Sequence, residues 1–328
     1  MQSNPSAPTL AIGELLWDLI PSGARLGGAS TNFAVLSARL GDYAALISCI
    51  GDDPLGHQAA EKLAALASNP DARAHLDLAG IQISRTLPTG TVGVSLDEHG
   101  RPQYEIHNPV AWDAILISEP LLQLAQTAAV ICFGTLAQRH DISRHTIRTL
   151  IEAAGPQSVR VCDLNLRPPF CSADVIRWCV AHADVIKISD EELPEVARLL
   201  GEPAIATGFP AAAHDDSLTA AATKCAQAIL TFAPQCRMVS ITLGPHGSLL
   251  ADRAGAHRHN GFVIDVIDTV GAGDAFTAGL VHAYIRGASL PQISEVSNLC
   301  GSHVASQSGA TPELPQSLLQ KIQDVLGA

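Results

Sequence analysis

The chain has 328 residues, 47% of them apolar but only 4% aromatic, with a net charge of −12. That length suits one large α/β domain or two smaller ones and can bury a sizeable core. The acidic balance argues against non-specific nucleic-acid binding, and no run of eighteen apolar residues is present to span a membrane.

Residues Met1 to Ser6 lack a basic n-region and an apolar h-region, so no secretory signal is expected. Short apolar runs at 10–13, 45–50, 130–133, 159–162, 185–188 and 239–242 read as buried strands. Helical patterns fall near 31–40, 56–67, 141–154, 172–182, 190–200, 217–232, 273–286, 292–307 and 314–326. This alternation predicts a parallel sheet covered on both faces and joined by right-handed crossovers. Two stretches break the rhythm. Residues 15–27 and 89–107 look extended and half-exposed, with a turn at Glu98-His99-Gly100-Arg101. They suggest a small antiparallel piece, either projecting from the main sheet or forming a hairpin at its edge. Residues 201–218 read as a polar loop bearing Pro203, Gly208 and Pro210. The eight cysteines form no C-x-x-C pair and sit mostly in apolar segments, so reduced core thiols in a cytoplasmic protein are expected. The thirteen histidines show no H-x-x-x-H spacing.

Four groups of polar residues stand beside these elements. Glu14 to Asp18 follows the first strand, and Gly27-Gly28 precedes Asn32 in the first turn of the next helix. Asp18 can accept two hydroxyl hydrogen bonds, and Asn32 offers a donor and an acceptor. A surface acid, a loop glycine pair and a helix-start amide are the bland alternatives. Next, Asp163, Asn165 and Arg167 would share one side of an extended strand end. That is the end at which open α/β sheets bind ligands. An Asp–Arg structural pair is the alternative. Third, Ser189 and Glu192 form a capping-box pattern. Last comes Asp268-Thr269-Val270-Gly271-Ala272-Gly273-Asp274-Ala275-Phe276, small residues followed by a helical pattern. Small residues admit a ligand to the backbone, and a helix start offers free N–H groups to an anion. Asp274 would sit at the edge of that site, placed to take a proton from an attacking hydroxyl. A negative charge is favoured there, so its pKa is expected to stay in the ordinary carboxylate range. A Gly-rich turn capped by Asp is the alternative.

The run D-T-V-G-A-G-D-A-F-T-A-G resembles the C-terminal signature of the ribokinase-like (PfkB) carbohydrate kinases. Gly27-Gly28-Ala29-Ser30-Thr31-Asn32, with Ala34, Gly41 and Gly51, is similar to the family's sugar-binding signature, departing at Ser30. The resemblance spans about Leu10 to Thr311 and is strongest to bacterial fructokinases. It implies one kinase domain over 1–328, a three-layer α/β/α fold with a mostly parallel central sheet, and a β lid from 15–27 and 89–107. It also implies Asp274 as catalytic base and the amides of Gly271, Ala272 and Gly273 as anion hole. Asp18, Gly28, Asn32 and Arg167 would contact the sugar. D-x-N-x-R is similar to the fructokinase and 2-keto-3-deoxygluconate kinase branches. On the nucleotide side the resemblance implies Lys187, Ser189, the turn Thr242, Gly244, Gly247, and Asn298 with Ser302. Glu192 would organise water around Mg²⁺. Asp268, with carbonyls of Val270, Val304 and Gly309, would form a K⁺ site like that of potassium-activated relatives. The expected activity is transfer of the γ-phosphoryl of MgATP to a sugar, fructose first. The rivals are 2-keto-3-deoxygluconate and a non-catalytic sugar sensor on the same scaffold. Lid edges suggest a homodimer.

Overall fold

A computed structural model describes residues 7–20, 23–68, 75–96, 102–206 and 215–327. The chain begins with β1 (Thr9–Ile12), the hairpin β2 (Leu16–Ile20) and β3 (Gly23–Gly27), then helix α1 (Ala29–Arg39). It continues through β4 (Tyr43–Gly51), α2 (Pro54–Ala67), β5 (His75–Asp77), β6 (Ile81–Ser84), β7 (Gly90–Leu96) and β8 (Pro102–Ile106). A regular alternation follows: α3 (Glu119–Thr127), β9 (Val130–Phe133), α4 (Asp141–Glu152), β10 (Val159–Asp163), α5 (Ala173–His182), β11 (Val185–Ser189), α6 (Leu193–Leu200), α7 (Asp215–Phe232) and β12 (Met238–Thr242). The last part is the hairpin β13 (Ser248–Asp252) and β14 (Ala256–His259), then α8 (Ala272–Tyr284), α9 (Leu290–Ala305) and α10 (Gln316–Leu326).

The main sheet runs β14-β13-β12-β11-β10-β9-β1-β4-β5, with β6 also on β4. Every pairing is parallel except β12–β13 and β13–β14. Alternation along the strands separates two cores. Leu10, Ile12, Ile131, Phe133, Ile186 and Ile188 pack on the face of α3 to α7. Ala11, Leu46, Val130, Val161 and Val185 pack on the face of α1, α2 and α8 to α10. This is the three-layer α/β/α arrangement expected.

The extended stretches form a separate four-stranded sheet, β3-β2-β7-β8, rather than a hairpin on the main sheet. It is mixed, not antiparallel throughout, because β2 pairs with β7 in parallel. A main-chain excursion through α1 to β6 lies between those strands, and its length allows the parallel crossover. Two anchors hold the sheet's base. Trp17 Nε1 donates to the Leu55 carbonyl at 3.0 Å. Arg139 donates to the His107 carbonyl at 2.8 Å while its guanidinium pairs with buried Asp113 at 2.7 Å and lies over the Trp112 ring. The turn at 98–101 and the loop residues Gly208 and Pro210 lie outside the described residues; α7 begins at Asp215, inside the stretch read as loop. Helix α3 was not anticipated: it spans nine residues, carries Pro120 near its start and buries only Leu121 and Ala125.

All eight cysteines are free thiols, seven of them buried. Among the described residues no helix is long and apolar enough to cross a membrane.

Candidate active site

Strand order reverses about β1, with β4 on one side and β9 on the other. At such a switch point the loops leaving adjacent strands diverge and open a crevice. A cavity of about 580 Å³ lies here, floored by the ends of β1, β9, β10 and β11 and roofed by the small sheet. Glu14, Asp18, Arg25, Cys132, Asp163 and Lys187 all reach it.

Two helices point their starts into the cavity. Gly28 caps α1 at φ +104°, and a Cβ there would stand 2.4 Å from the Glu14 carbonyl oxygen. Only glycine meets both conditions. Ser30, the departure from the sugar-binding signature, is buried and donates to the Ile12 carbonyl at 3.0 Å and to Glu14 Oε2 at 3.3 Å. It therefore stitches α1 to the end of β1. Gly271 caps α8 at φ +80°, where a Cβ would lie 2.5 Å from the Ala310 oxygen. Of the three amides expected to form an anion hole, that of Ala272 is engaged within the protein. The Ala272 N–H donates to the Thr269 carbonyl at 3.2 Å, closing the turn, and Ala272 does not line the cavity. Gly271 and Gly273 do line it, and their amides have no partner among the described residues.

Asp274 stands in the first turn of α8 and accepts a hydrogen bond from Asn32 Nδ2 at 2.7 Å. Its carboxyl is pushed up to about 7, contrary to the expectation from the helix dipole. Burial is the main cause. The Asn32 bond opposes it, the Asp163 charge adds to it, and Lys187 and Arg167 oppose it. Desolvation outweighs the favourable end of one helix because the dipole effect fades within a turn and is modest. The other Asn32 amide atom, Oδ1, is buried without a partner among the described residues.

Asp163, Asn165 and Arg167 all line the cavity, but not as an extended strand. Strand β10 ends at Asp163, and Asn165 takes a left-handed φ of +40°. The alternative, an Asp163–Arg167 structural pair, is not found among the described residues. Asp163 instead bonds Lys187 Nζ at 3.1 Å and accepts from Thr277 Oγ1 at 2.9 Å. Exposed Arg167 donates to its neighbour, the Leu166 carbonyl, at 2.9 Å. Burial disfavours the Lys187 charge, but Asp163, Glu192 and Asp274 outweigh it and hold its pKa above the ordinary range. At the roof, burial and the Asp268 charge raise the Asp18 carboxyl, while Arg167 and Arg25 oppose them.

The residues expected on the nucleotide side are not part of this cavity, Lys187 excepted. Ser189 and Glu192 make the reciprocal capping box, with the Ser189 N–H on Glu192 Oε2 at 2.7 Å. Glu192 Oε1 also accepts the Leu166 N–H, so this carboxylate ties β11 to the segment after β10. Thr242 ends β12, and Gly244 to His246 form a 3-10 turn closed by the Gly247 N–H on the Gly244 carbonyl at 3.1 Å. Asn298 is buried and gives its amide hydrogens to Ser248 Oγ and the Ser294 carbonyl, while Ser302 is half-buried one turn on. Of the cation residues, Asp268, Val270 and Gly309 line the cavity and Val304 does not. Asp268 pairs with Arg25 at 2.9 Å and accepts the amides of Val270 and Gly309. The Val304 carbonyl accepts the Gln307 N–H. Among the described residues no three metal-binding side chains cluster.

The sequence assigned no separate role to Arg25, Glu14 or Thr277. Arg25 faces Asp18 in the β2–β3 register, a pairing that needs the hairpin to be known. Thr277 is three residues after Asp274, the spacing that puts two side chains on one helix face.

The profile of the pfkB family carbohydrate kinases matches residues 23–317, and the chain belongs to that family. It is similar to fructokinase-2 of Solanum lycopersicum, at 26% identity over 95% of this chain and 94% of that one. The crystal structure of a Vibrio cholerae fructokinase with fructose, ADP and calcium matches at TM-score 0.74 and 26% identity, covering 97% of this chain and 99% of that one. An uncharacterised sugar kinase of Pyrococcus horikoshii shares the fold at TM-score 0.76 and 24% identity, covering 98% and 100%.

Proposed function

We propose that this carbohydrate kinase transfers the γ-phosphoryl of ATP to the primary hydroxyl of fructose, giving fructose 6-phosphate. The observation that carries the proposal is Asp274, bonded to Asn32 at 2.7 Å beside the unpartnered amides of Gly271 and Gly273. The acceptor O–H gives its proton to the Asp274 carboxylate as its oxygen bonds to the γ-phosphorus. The bond from that phosphorus to the bridging oxygen breaks, and ADP leaves. Such a transfer is limited by positioning and charge neutralisation. The two amides and the Lys187 ammonium would face the charge on the migrating group. Asp18 and the free Asn32 Oδ1 would accept hydroxyl hydrogens of the sugar.

Mg²⁺, when bound, would neutralise charge on the phosphates. Glu192 fits as a partner to its waters, since each carboxylate oxygen spends one lone pair on an amide and keeps another. A K⁺ ion at Asp268 is a finer part of the reading, and there it would compete with the Arg25 guanidinium. The small sheet would act as a lid, and its outer strands β3 and β8 are open edges suited to pairing two copies.

A second reading, 2-keto-3-deoxygluconate as acceptor, is favoured by Arg25 and Arg167 in the cavity wall, which could hold a carboxylate. Asp18 opposes it. ADP release over fructose, glucose, ribose, 2-keto-3-deoxygluconate and nucleosides separates the readings. Fructose should give the highest kcat/KM. A higher value with the keto acid would replace it, and no turnover on any acceptor would leave a sensor.

A further inference from the structure

We propose that Asp163 is the positioning residue of the phosphoryl cradle. It fixes Lys187 beside Gly273 and ties down the first turn of α8, so that cation, amide and base meet one migrating group. The inference rests on the kinase reading for its role and on the following geometry for its substance.

Asp163 and Lys187 are directly opposite in the parallel register of β10 and β11. Both side chains are buried, with 10% and 7% of their surface exposed. Lys187 Nζ donates to Asp163 Oδ1 at 3.1 Å. A Cβ built on Gly273 would stand 3.2 Å from that same Nζ, so the ammonium lies against the helix start. The other Asp163 oxygen accepts from Thr277 Oγ1 at 2.9 Å, and that hydroxyl also reaches the Gly273 carbonyl at 3.0 Å. One carboxylate thus joins a strand end, a cation and the helix that carries Asp274. An isolated ammonium at this depth would tend to lose its proton or swing to solvent. Asp163 prevents both. Lys187 keeps two further N–H donors for a ligand.

The groups that face Asp274 are Asn32 on α1, Cys132 at the end of β9, Asp163 on β10, Arg167 after it, and Lys187 on β11. Glu14 lines the same cavity from the end of β1, as do Asp18, Arg25 and Asp268 at the roof. Replacing Asp163 by Asn removes a negative charge whose effect on Asp274 is larger than the opposing effect of Lys187, so the base ionises more readily even where the ammonium swings away.

The test compares Asp163→Asn, Lys187→Met and the double variant, with pH profiles of kcat. Asp163→Asn should lower kcat by about 10²-fold, the cost of a misplaced reacting constellation. It should also move the acid limb of kcat down by about one pH unit. In the Lys187→Met background the same substitution should cost less than about tenfold, since residues that act as a unit are not additive. An unmoved acid limb together with additive losses would overturn the proposal, because a merely structural Asp163 would lower kcat at every pH alike. If Asp163→Asn does not fold, Thr277→Val keeps the charge and removes one tether. It should lower kcat several-fold with the limb in place, and wild-type kcat in that variant would count against the tether. A carbon-13 NMR titration of the Asp274 carboxyl, assigned with Asp274→Asn, reads the coupling without turnover. A lower midpoint in Asp163→Asn supports the proposal and an unchanged one refutes it, even if the wild type phosphorylates no sugar.

Discussion

The floor and the roof of the cavity are built on different physical terms. The floor joins strand ends and helix starts through buried charges: Asp163 on Lys187, and Asn32 on Asp274. Beyond its anchored base, the roof meets the far wall of the cavity through Arg25 on Asp268, an ion pair whose arginine side chain is 42% exposed. Charges on the floor are weakly screened, so Asp163 and Lys187 act on Asp274 in addition to the larger effect of its burial. A pair near solvent is worth about 0–1 kcal/mol. Buried charges below and an exposed pair above would suit the proposed lid, which must admit a sugar and then exclude water.

The largest effect should come from Asp274→Asn, which keeps the bond from Asn32 and removes the base. We expect kcat to fall by about 10²–10⁴, with sugar affinity measured by calorimetry nearly unchanged. A variant retaining most of its turnover would remove Asp274 from the role. The same substitution tests the linkage to stability. Burial pushes the folded carboxyl up to about 7 from an ordinary 3.8. Between those values the folded state holds more protons than the unfolded one, so this group lowers stability as pH rises through the window. Asp274→Asn should therefore raise Tm at pH 8 relative to wild type and leave Tm at pH 3 little changed. In the active enzyme, kcat should fall as pH drops through about 7.

Gly271→Ala should come next. It forces a side chain into φ +80° and against the Ala310 backbone at 2.5 Å. A loss of about 1–3 kcal/mol in stability is expected, read by urea unfolding, with kcat lowered more than KM is raised. Asn32→Ala is a finer probe. It removes the bond that holds down the Asp274 pKa, so the acid limb of kcat should move to higher pH. Movement to lower pH would show that Asn32 acts otherwise. The smallest change belongs to the roof. Arg25→Ala should leave Tm within about 1 °C, given the small worth of an exposed pair, while raising KM for the acceptor. A fall in kcat as large as that of Asp163→Asn would erase the contrast between roof and floor.

The parts that could be read from the chain are those whose geometry is local. A helix start after Gly271 needs only consecutive residues, and so do the capping box of Ser189 and Glu192 and the buried runs of the parallel strands. The family signature adds no long-range information to these; it joins local features that recur together. Ala272 shows the limit even at short range. Its amide could face a ligand or close the turn onto Thr269, and nothing in the residue type distinguishes the two.

What escaped the chain was partnership across distance. Asp163 chooses Lys187 over Arg167 because β10 and β11 align in one register. Arg25 meets Asp268 from 243 residues away. The parallel pairing of β2 with β7 depends on where the intervening excursion returns. The basicity of Asp274 belongs to the same kind: a dipole argument from its helix position predicts an ordinary acid, and the enclosing walls make it a weak one. Residue order sets dihedral preferences and hydrophobic periodicity, which act over a few positions. Desolvation and charge coupling act through space, so they take values only once the layers have closed around the cavity.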